Sequence, residues 1–319
     1  MSPVKVAVLD DWSRVASEYA DWKKLNAEVV FFNEALGDKA SEVLQQFDVI
    51  CLMRERTPFP ATLIDQLPNL RLLVTTGPRN LSVDVEAARQ NGVIVCGTRS
   101  RKTTTSELTL ALILSLSRRL IPEARALDHG GWQGVPGKDL AGSRLGLVGL
   151  GNIGQQMAIF GRTLGMDITA WSPNLTAERA HEAGVQFVSS LEELACRSDV
   201  LSVHMVLSDA TRGMISSSVL KALPKGSILI NTSRAGLLDR DGLFDAMRIG
   251  GVQSAGIDVF EEEPIPQGDP WLEAKAEFGD RLLLTPHLGY VTEKTWRLFY
   301  EDTVEVIEAF ADGKAIRTL

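Results

Sequence analysis

Three kinds of residue in this 319-residue chain could do chemistry together: a glycine triplet, a histidine, and charged side chains that follow short apolar runs. The triplet is Gly149-Leu-Gly151-Asn152-Ile153-Gly154, which follows the strand-like Leu145–Val148 and opens a helical stretch at Gln155. A G-x-G-x-x-G run between strand and helix suits a dinucleotide. Gly149 would allow the tight turn, Gly151 would let the backbone approach a pyrophosphate, and Gly154 would let helix and strand pack closely. The free N–H groups of the helix would face the anion. Alone, the same pattern is also a glycine-rich turn at a strand end, so the matching chemistry must come from elsewhere in the chain.

A nicotinamide-dependent reduction of a carbonyl needs a cation for the substrate, an acid for the developing alkoxide, and a group that tunes the acid. The chain has four histidines. His181 lies in a polar helical stretch and reads as a surface residue, and His129 sits among glycines, where a capping role fits better than catalysis. His204 ends a strand-like run, either lining the nicotinamide side or satisfied within the core. His287 follows Leu282–Leu284 and Thr285-Pro286, at the mouth of a sheet where α/β ligands bind, and it is the candidate acid. Two neighbouring strand ends supply partners. Arg234 follows Ile228–Asn231-Thr232-Ser233, and Glu261-Glu262-Glu263 follow Gly256-Ile-Asp258-Val-Phe. Two of these three glutamates read as a solvated acidic turn, and Arg234 taken alone reads as a surface ion-pair residue. What raises them is that all these segments leave the same sheet edge as the glycine loop.

The elements that must position these groups are short apolar runs alternating with helical stretches. Val4–Leu9, Val29–Phe32, Val49–Met53, Leu72–Thr75 and Val93–Cys96 predict strands in the first hundred residues. Leu145–Val148, Ile168–Trp171, Val200–Val203, Ile228–Asn231, Gly256–Val259 and Leu282–Leu284 predict a second series. The alternation predicts α/β architecture with parallel sheets, in two units of unequal size. Thr103–Leu127 reads as one long helical pattern interrupted by Pro122, followed by a loop dense in turn formers from His129 to Gly137. A last helical pattern, Thr292–Ala311, has no strand after it.

Whole-chain properties exclude several function classes. A net charge of −8 argues against nucleic acid or an anionic membrane as a partner. Cys51, Cys96 and Cys196 are widely separated and lack metal-ligand spacing, so no metal site is expected and free thiols in a reducing compartment are. The chain runs from Met1 into the Val4 strand without a signal-peptide pattern, and its longest apolar run, Leu108–Leu116, is too short to span a bilayer. A cytoplasmic protein is expected. The strand Ile168–Trp171 ends in Ser172-Pro173-Asn174, where an acidic residue would take the ribose hydroxyls of NAD. No carboxylate stands there to repel a 2′-phosphate and no arginine to grip one; Arg179 is the nearest and reads equally as a solvated helix residue, so NAD and NADP both remain open.

Together these motifs resemble the D-isomer-specific 2-hydroxyacid dehydrogenase family over essentially the full length. The matching segments, in order, are V-G-x-G-x-I-G at 148–154, N-T-x-R-x-G at 231–236, D-V-F-x-x-E-P at 258–264 and T-P-H-x-G at 285–289. The resemblance implies two doubly wound parallel-sheet domains, with a Rossmann cofactor domain (101–287) inserted in a flavodoxin-like substrate domain (1–100 plus 288–319). It implies that the last helix returns to the first hundred residues, that Thr103–Leu127 is the helix between domains, and that the protein is a homodimer. It implies that Arg234 binds the carboxylate and carbonyl of a small 2-oxo acid, that His287 is the acid/base, and that Glu263 pairs with it. Asp258 would contact the nicotinamide end; Asn152, Ile153, Thr232 and Ser233, with Ser172, His204 and Gly289, would line the cofactor.

The chain also departs from the family pattern. The substrate loop reads Gly77-Pro78-Arg79-Asn80, with Arg79 in place of a glycine whose backbone would meet the substrate carboxylate. Arg54 and Arg56, after the third predicted strand, add positive charge to the same domain, so Arg54, Gly77 and Arg79 are the candidate substrate residues, with plain surface positions an equal reading of the arginines. Tyr290 replaces a small residue. The expected reaction is reversible hydride transfer between NAD(P)H and a 2-oxo acid of the glyoxylate, hydroxypyruvate or 3-phosphoglycerate type. The alternative on the same fold is a cofactor-sensing binding protein that acts like a transcriptional corepressor. A formate dehydrogenase is disfavoured, because that relative carries glutamine where Glu263 stands.

Overall fold

Continuous apolar runs with no polar alternation form strands that are covered on both faces, as Val49–Leu52, Leu72–Thr75 and Val200–Val203 do here. The computed structural model describes residues 3–319. The chain divides into two compact units, one running through Arg101 and resumed by Val291–Leu319, the other Lys102–Tyr290.

The first unit holds strands β1 (Val4–Val8), β2 (Ala27–Phe31), β3 (Val49–Leu52), β4 (Leu72–Thr75) and β5 (Ile94–Gly97). They pair in parallel in the order β2-β1-β3-β4-β5. Every residue of β3 and β4 is buried. The C-terminal helix Glu293–Ala311 belongs to this unit. It is tied there by the buried Asp302, which takes the backbone N–H and guanidinium of Arg99. The chain end then lies along β5: Gly97 N–H donates to the Arg317 carbonyl, and Leu319 N–H to that of Val95.

The second unit holds β6 (Arg144–Val148), β7 (Asp167–Trp171), β8 (Gln186–Phe187), β9 (Val200–Val203), β10 (Ser227–Asn231), β11 (Val252–Ile257) and β12 (Leu282–Leu284). Their order is β12-β11-β10-β9-β6-β7-β8, all parallel. Successive residues serve opposite faces, as strand geometry requires. Leu145, Leu147, Ile228 and Ile230 pack on the side of helices Thr104–Arg118 and Asn152–Thr163. Val148, Leu201, Val203 and Leu229 pack on the side of Arg240–Arg248 and Pro270–Phe278. The order reverses between β6 and β9, which makes a crevice at their C-terminal tips.

Three local readings need correction. Thr103–Leu127 is two helices, Thr104–Arg118 and Leu120–Asp128, and the break is at Arg119. Arg119 adopts a left-handed conformation (φ 55°), whereas Pro122 sits in the first turn of the second helix, where its missing N–H costs nothing. The strand read at Gly256–Val259 is Val252–Ile257, so Asp258 lies beyond the strand rather than inside it. The two-residue edge strand Gln186–Phe187 had no apolar run to announce it.

Candidate active site

In the second unit, the parallel strands deliver Gly149, Ser172, His204, Thr232, Asp258 and Thr285 to one edge, each the first residue past its strand. Gly149 has φ +101°, a conformation that side-chain-bearing residues rarely adopt. A Cβ on Gly154 would fall 2.1 Å from the Gly149 carbonyl oxygen, whereas a Cβ on Gly151 would meet nothing within 4 Å. The first and third glycines are therefore required by the protein itself. The second faces open space beside the start of helix Asn152–Thr163, with no side chain capping it. That is the cradle a pyrophosphate needs, so the loop fits a dinucleotide. Asn152 is exposed and Ile153 half-buried at the same helix start.

At the other end of the edge, His287 Nδ1 lies 2.6 Å from Glu263 Oε2. The second carboxylate oxygen, Oε1, accepts the Phe260 N–H at 2.9 Å, so the glutamate is fixed from both sides. Burial alone would raise the Glu263 pKa. The hydrogen bond and charge of His287, the Phe260 N–H and the charge of Arg234 outweigh burial and hold it below the ordinary glutamate value. The structure thus brings Glu263, His287 and the field of Arg234 together across segments far apart in sequence. Arg234 Nη1 donates to its neighbour's carbonyl, Ser233 O, and Asn231 shapes the turn around it by accepting Ser233 N–H and donating to Arg234 O. Glu261 is exposed but accepts the Trp271 indole N–H, so that part of the acidic turn has a structural bond.

Asp258 has the most connected carboxylate at this edge. It is fully buried, and its Oδ1 accepts the Thr285 hydroxyl (2.6 Å) and Leu288 N–H (2.7 Å), while Oδ2 accepts Gly289 N–H (2.9 Å). Burial pushes its pKa above the ordinary aspartate value, and these donors, with the His287 charge, pull it only part of the way back. The three donors come from the segment that carries His287, which itself has a left-handed φ of 52°. Tyr290 closes the segment with its ring edge-on to the His287 ring, centroids 5.3 Å apart. Sequence reasoning named Asp258 but not Thr285 as its partner. The signal was available in T-P-H-x-G, though only folding pairs it with the D-V-F turn.

The remaining expected residues are placed as follows. Thr232 shares its hydroxyl with Thr109 at 2.8 Å, and Ser233 donates its hydroxyl to the Met205 carbonyl, so both anchor the edge through their side chains. Gly289 is buried, and its carbonyl accepts the Thr105 hydroxyl. His204 bonds Ser202 through Nε2 at 2.8 Å, and burial pushes its pKa down to about 4, keeping it neutral. Ser172 is half-buried at the β7 tip. Arg54, Gly77 and Arg79 lie in the first unit. Arg54 Nη1 donates to the Thr76 carbonyl, and its guanidinium lies across Gly77, where a Cβ would be 1.7 Å from Nη1. Gly77 N–H donates to the Thr98 hydroxyl, and Arg79 is exposed.

Residues 110–289 match the family described as D-isomer specific 2-hydroxyacid dehydrogenase, NAD binding domain. The chain belongs to this family. Among curated relatives of this dehydrogenase family member, a glyoxylate reductase of Aeropyrum pernix is 35% identical over 262 residues, covering 79% of this chain and 76% of that protein. A D-3-phosphoglycerate dehydrogenase of Methanocaldococcus jannaschii is 32% identical over 302 residues, or 93% of this chain, which spans only 56% of that longer protein. Among solved structures, a phosphoglycerate oxidoreductase from Vibrio cholerae O395 superposes with a TM-score of 0.89 at 34% identity, covering 97% of this chain and 99% of that one. The fold is therefore the family's, with a Rossmann NAD-binding domain inserted in a substrate domain.

Proposed function

We propose that this 2-hydroxyacid dehydrogenase reduces a small 2-oxo acid, of the glyoxylate, hydroxypyruvate or 3-phosphohydroxypyruvate type, and runs in reverse on the D-2-hydroxy acid. The observation that carries the reading is the 2.6 Å contact between His287 Nδ1 and Glu263 Oε2, within the field of Arg234. A bound nicotinamide supplies or accepts the hydride. With Nδ1 committed to Glu263, His287 has Nε2 to deliver a proton to the oxygen of the carbonyl as it gains charge. Glu263 orients the ring and stabilises its charged form. Arg234 offers a planar fork that matches a carboxylate, so it holds the acid group of the substrate and orients the 2-oxo carbon. Gly149, Gly151, Asn152, Ile153 and Gly154 would hold the dinucleotide phosphates, with Ser172, His204, Thr232, Ser233, Asp258 and Gly289 shaping the rest of its bed. Arg54, Gly77 and Arg79 are proposed for the substrate side.

The test is oxidation of reduced cofactor, followed spectrophotometrically, with glyoxylate, hydroxypyruvate, pyruvate and 3-phosphohydroxypyruvate. At least one acid should turn over. His287→Ala and Arg234→Ala should abolish turnover while cofactor binding persists. Near-normal activity in His287→Ala would remove the assignment. Cofactor binding with no turnover of any acid would favour the corepressor-like binding protein instead.

A homodimer is also proposed. Helix Leu120–Asp128 has no buried residue, and it and the loop after it expose Leu127 (59%), Trp132 (80%) and Val135 (61%), more apolar surface than a lone chain would leave in water. Among the described residues no helix is long and apolar enough to cross a membrane. Three free thiols suit a reducing compartment such as the cytoplasm.

A further inference from the structure

We propose that this dehydrogenase prefers NADP(H) to NAD(H), with Arg179 and Ser172 receiving the 2′-phosphate of the adenosine ribose. The proposal rests on the reading of the chain as a nicotinamide-dependent enzyme and names which dinucleotide it takes. Strands β6 and β7 run parallel with Val148 opposite Trp171, and Gly149 N–H donates to the Trp171 carbonyl at 2.8 Å. The glycine loop and the β7 tip therefore start level with each other, and Ser172 is the first residue beyond that tip. In this fold the 2′ and 3′ oxygens of the ribose reach the end of that second strand.

An enzyme that selects NAD places a carboxylate there, which binds both hydroxyls and repels a phosphate. Here the segment reads Ser172-Pro-Asn174-Leu-Thr176-Ala177, without an acidic residue. The nearest carboxylate that follows, Glu178, is folded onto its own helix start. Its own backbone N–H and the Thr176 hydroxyl bond it and hold its pKa below the ordinary value. Arg179 reaches back along the chain, its Nη1 donating to the Asn174 carbonyl at 3.1 Å. The bond to Asn174 draws the guanidinium back toward the segment that follows the strand tip, and one such bond leaves most of its five N–H donors for a ligand. A phosphate dianion gains charge-assisted bonds at this tip, and a ribose diol finds no charged acceptor.

The test is a titration of the wild-type protein with NADP+ and with NAD+, followed by calorimetry and by intrinsic tryptophan fluorescence, so that no turnover is required. Adenosine 2′,5′-bisphosphate against ADP probes the same tip without the nicotinamide. NADP+ should bind about tenfold tighter or more, the scale of one charge-assisted bond. Arg179→Ala, an exposed position, should remove that advantage and leave NAD+ affinity unchanged, and Ser172→Asp should reverse the preference. Equal or tighter binding of NAD+ to the wild type, or NADP+ affinity unchanged in Arg179→Ala, overturns the proposal. If neither dinucleotide binds, the dehydrogenase reading itself falls, and this proposal with it.

Discussion

Replacing Asp258 with asparagine keeps the side chain's shape and removes one acceptor. The carboxylate serves three donors with two oxygens, Thr285 and Leu288 at one and Gly289 at the other. An amide can turn its oxygen to one side only. Toward Oδ1 it leaves Gly289 N–H facing an NH2; toward Oδ2 it leaves Leu288 N–H in that position, while the Thr285 hydroxyl can rotate and accept. Either way one buried backbone donor faces another donor, and the negative charge that strengthened the other bonds is gone. An unsatisfied buried group costs about 1–3 kcal/mol, and losing a charged acceptor places this site near about 3 kcal/mol. These bonds hold residues 285–289, with His287 in a left-handed conformation between them. Slackening of about 1 Å at a reacting group costs roughly a hundredfold in rate. Asp258→Asn should therefore unfold at lower urea by about 3 kcal/mol and lose roughly a hundredfold in kcat. Thr285→Val, which removes one donor of the three, should fall between wild type and Asp258→Asn in both measurements. A variant destabilised as expected that kept kcat within about twofold would refute the claim that Asp258 acts by holding the His287 segment.

Gly154→Ala should lose dinucleotide affinity and about 1–3 kcal/mol of stability, because its Cβ would meet the Gly149 carbonyl 2.1 Å away and neither backbone can yield without opening the loop; melting with and without cofactor reads both effects. His204 makes stability pH-dependent in a stated direction. Its folded pKa of about 4 lies below the ordinary 6.5, so its contribution is intact above pH 6.5 and is lost as the pH falls toward 4, about 2 kcal/mol of it between pH 7 and 5. Urea unfolding of wild type against His204→Asn at those two pH values isolates this loss, and parallel pH dependences would contradict it. Leu127→Asp with Trp132→Ala should shift the sedimenting mass from dimer to monomer, and an unchanged mass would rule out helix Leu120–Asp128 and its loop as the self-association surface.

Much of the α/β architecture was legible because parallel strands are written as apolar runs. β4, β9 and β12 lie where the pattern predicts, and most other predicted strands differ by only a residue or two at an end. β11 was misplaced because Gln253 and Ser254 interrupt its apolar pattern, and β8 was missed because two residues carry no periodicity. The break at Arg119 escaped because a left-handed residue is a backbone choice that its side chain does not announce, whereas Pro122 announces a break that its first-turn position makes unnecessary.

The site divides in the same way. The sequence by itself determined the glycine loop and the residue types proposed for catalysis, since a tight turn, a close helix–strand approach and a titrating side chain each demand a particular residue. It could not decide what those residues touch. Glu263 meets His287 from 24 positions away, and Asp258 gathers Thr285, Leu288 and Gly289 from 27 to 31 positions away. Thr232 and Ser233 turn their hydroxyls to Thr109 and Met205, and Arg179 turns back to Asn174. Only the tertiary structure decides these contacts, because parallel strand order, not spacing along the chain, determines which strand tips are neighbours, and hydrogen-bond geometry then selects the partner.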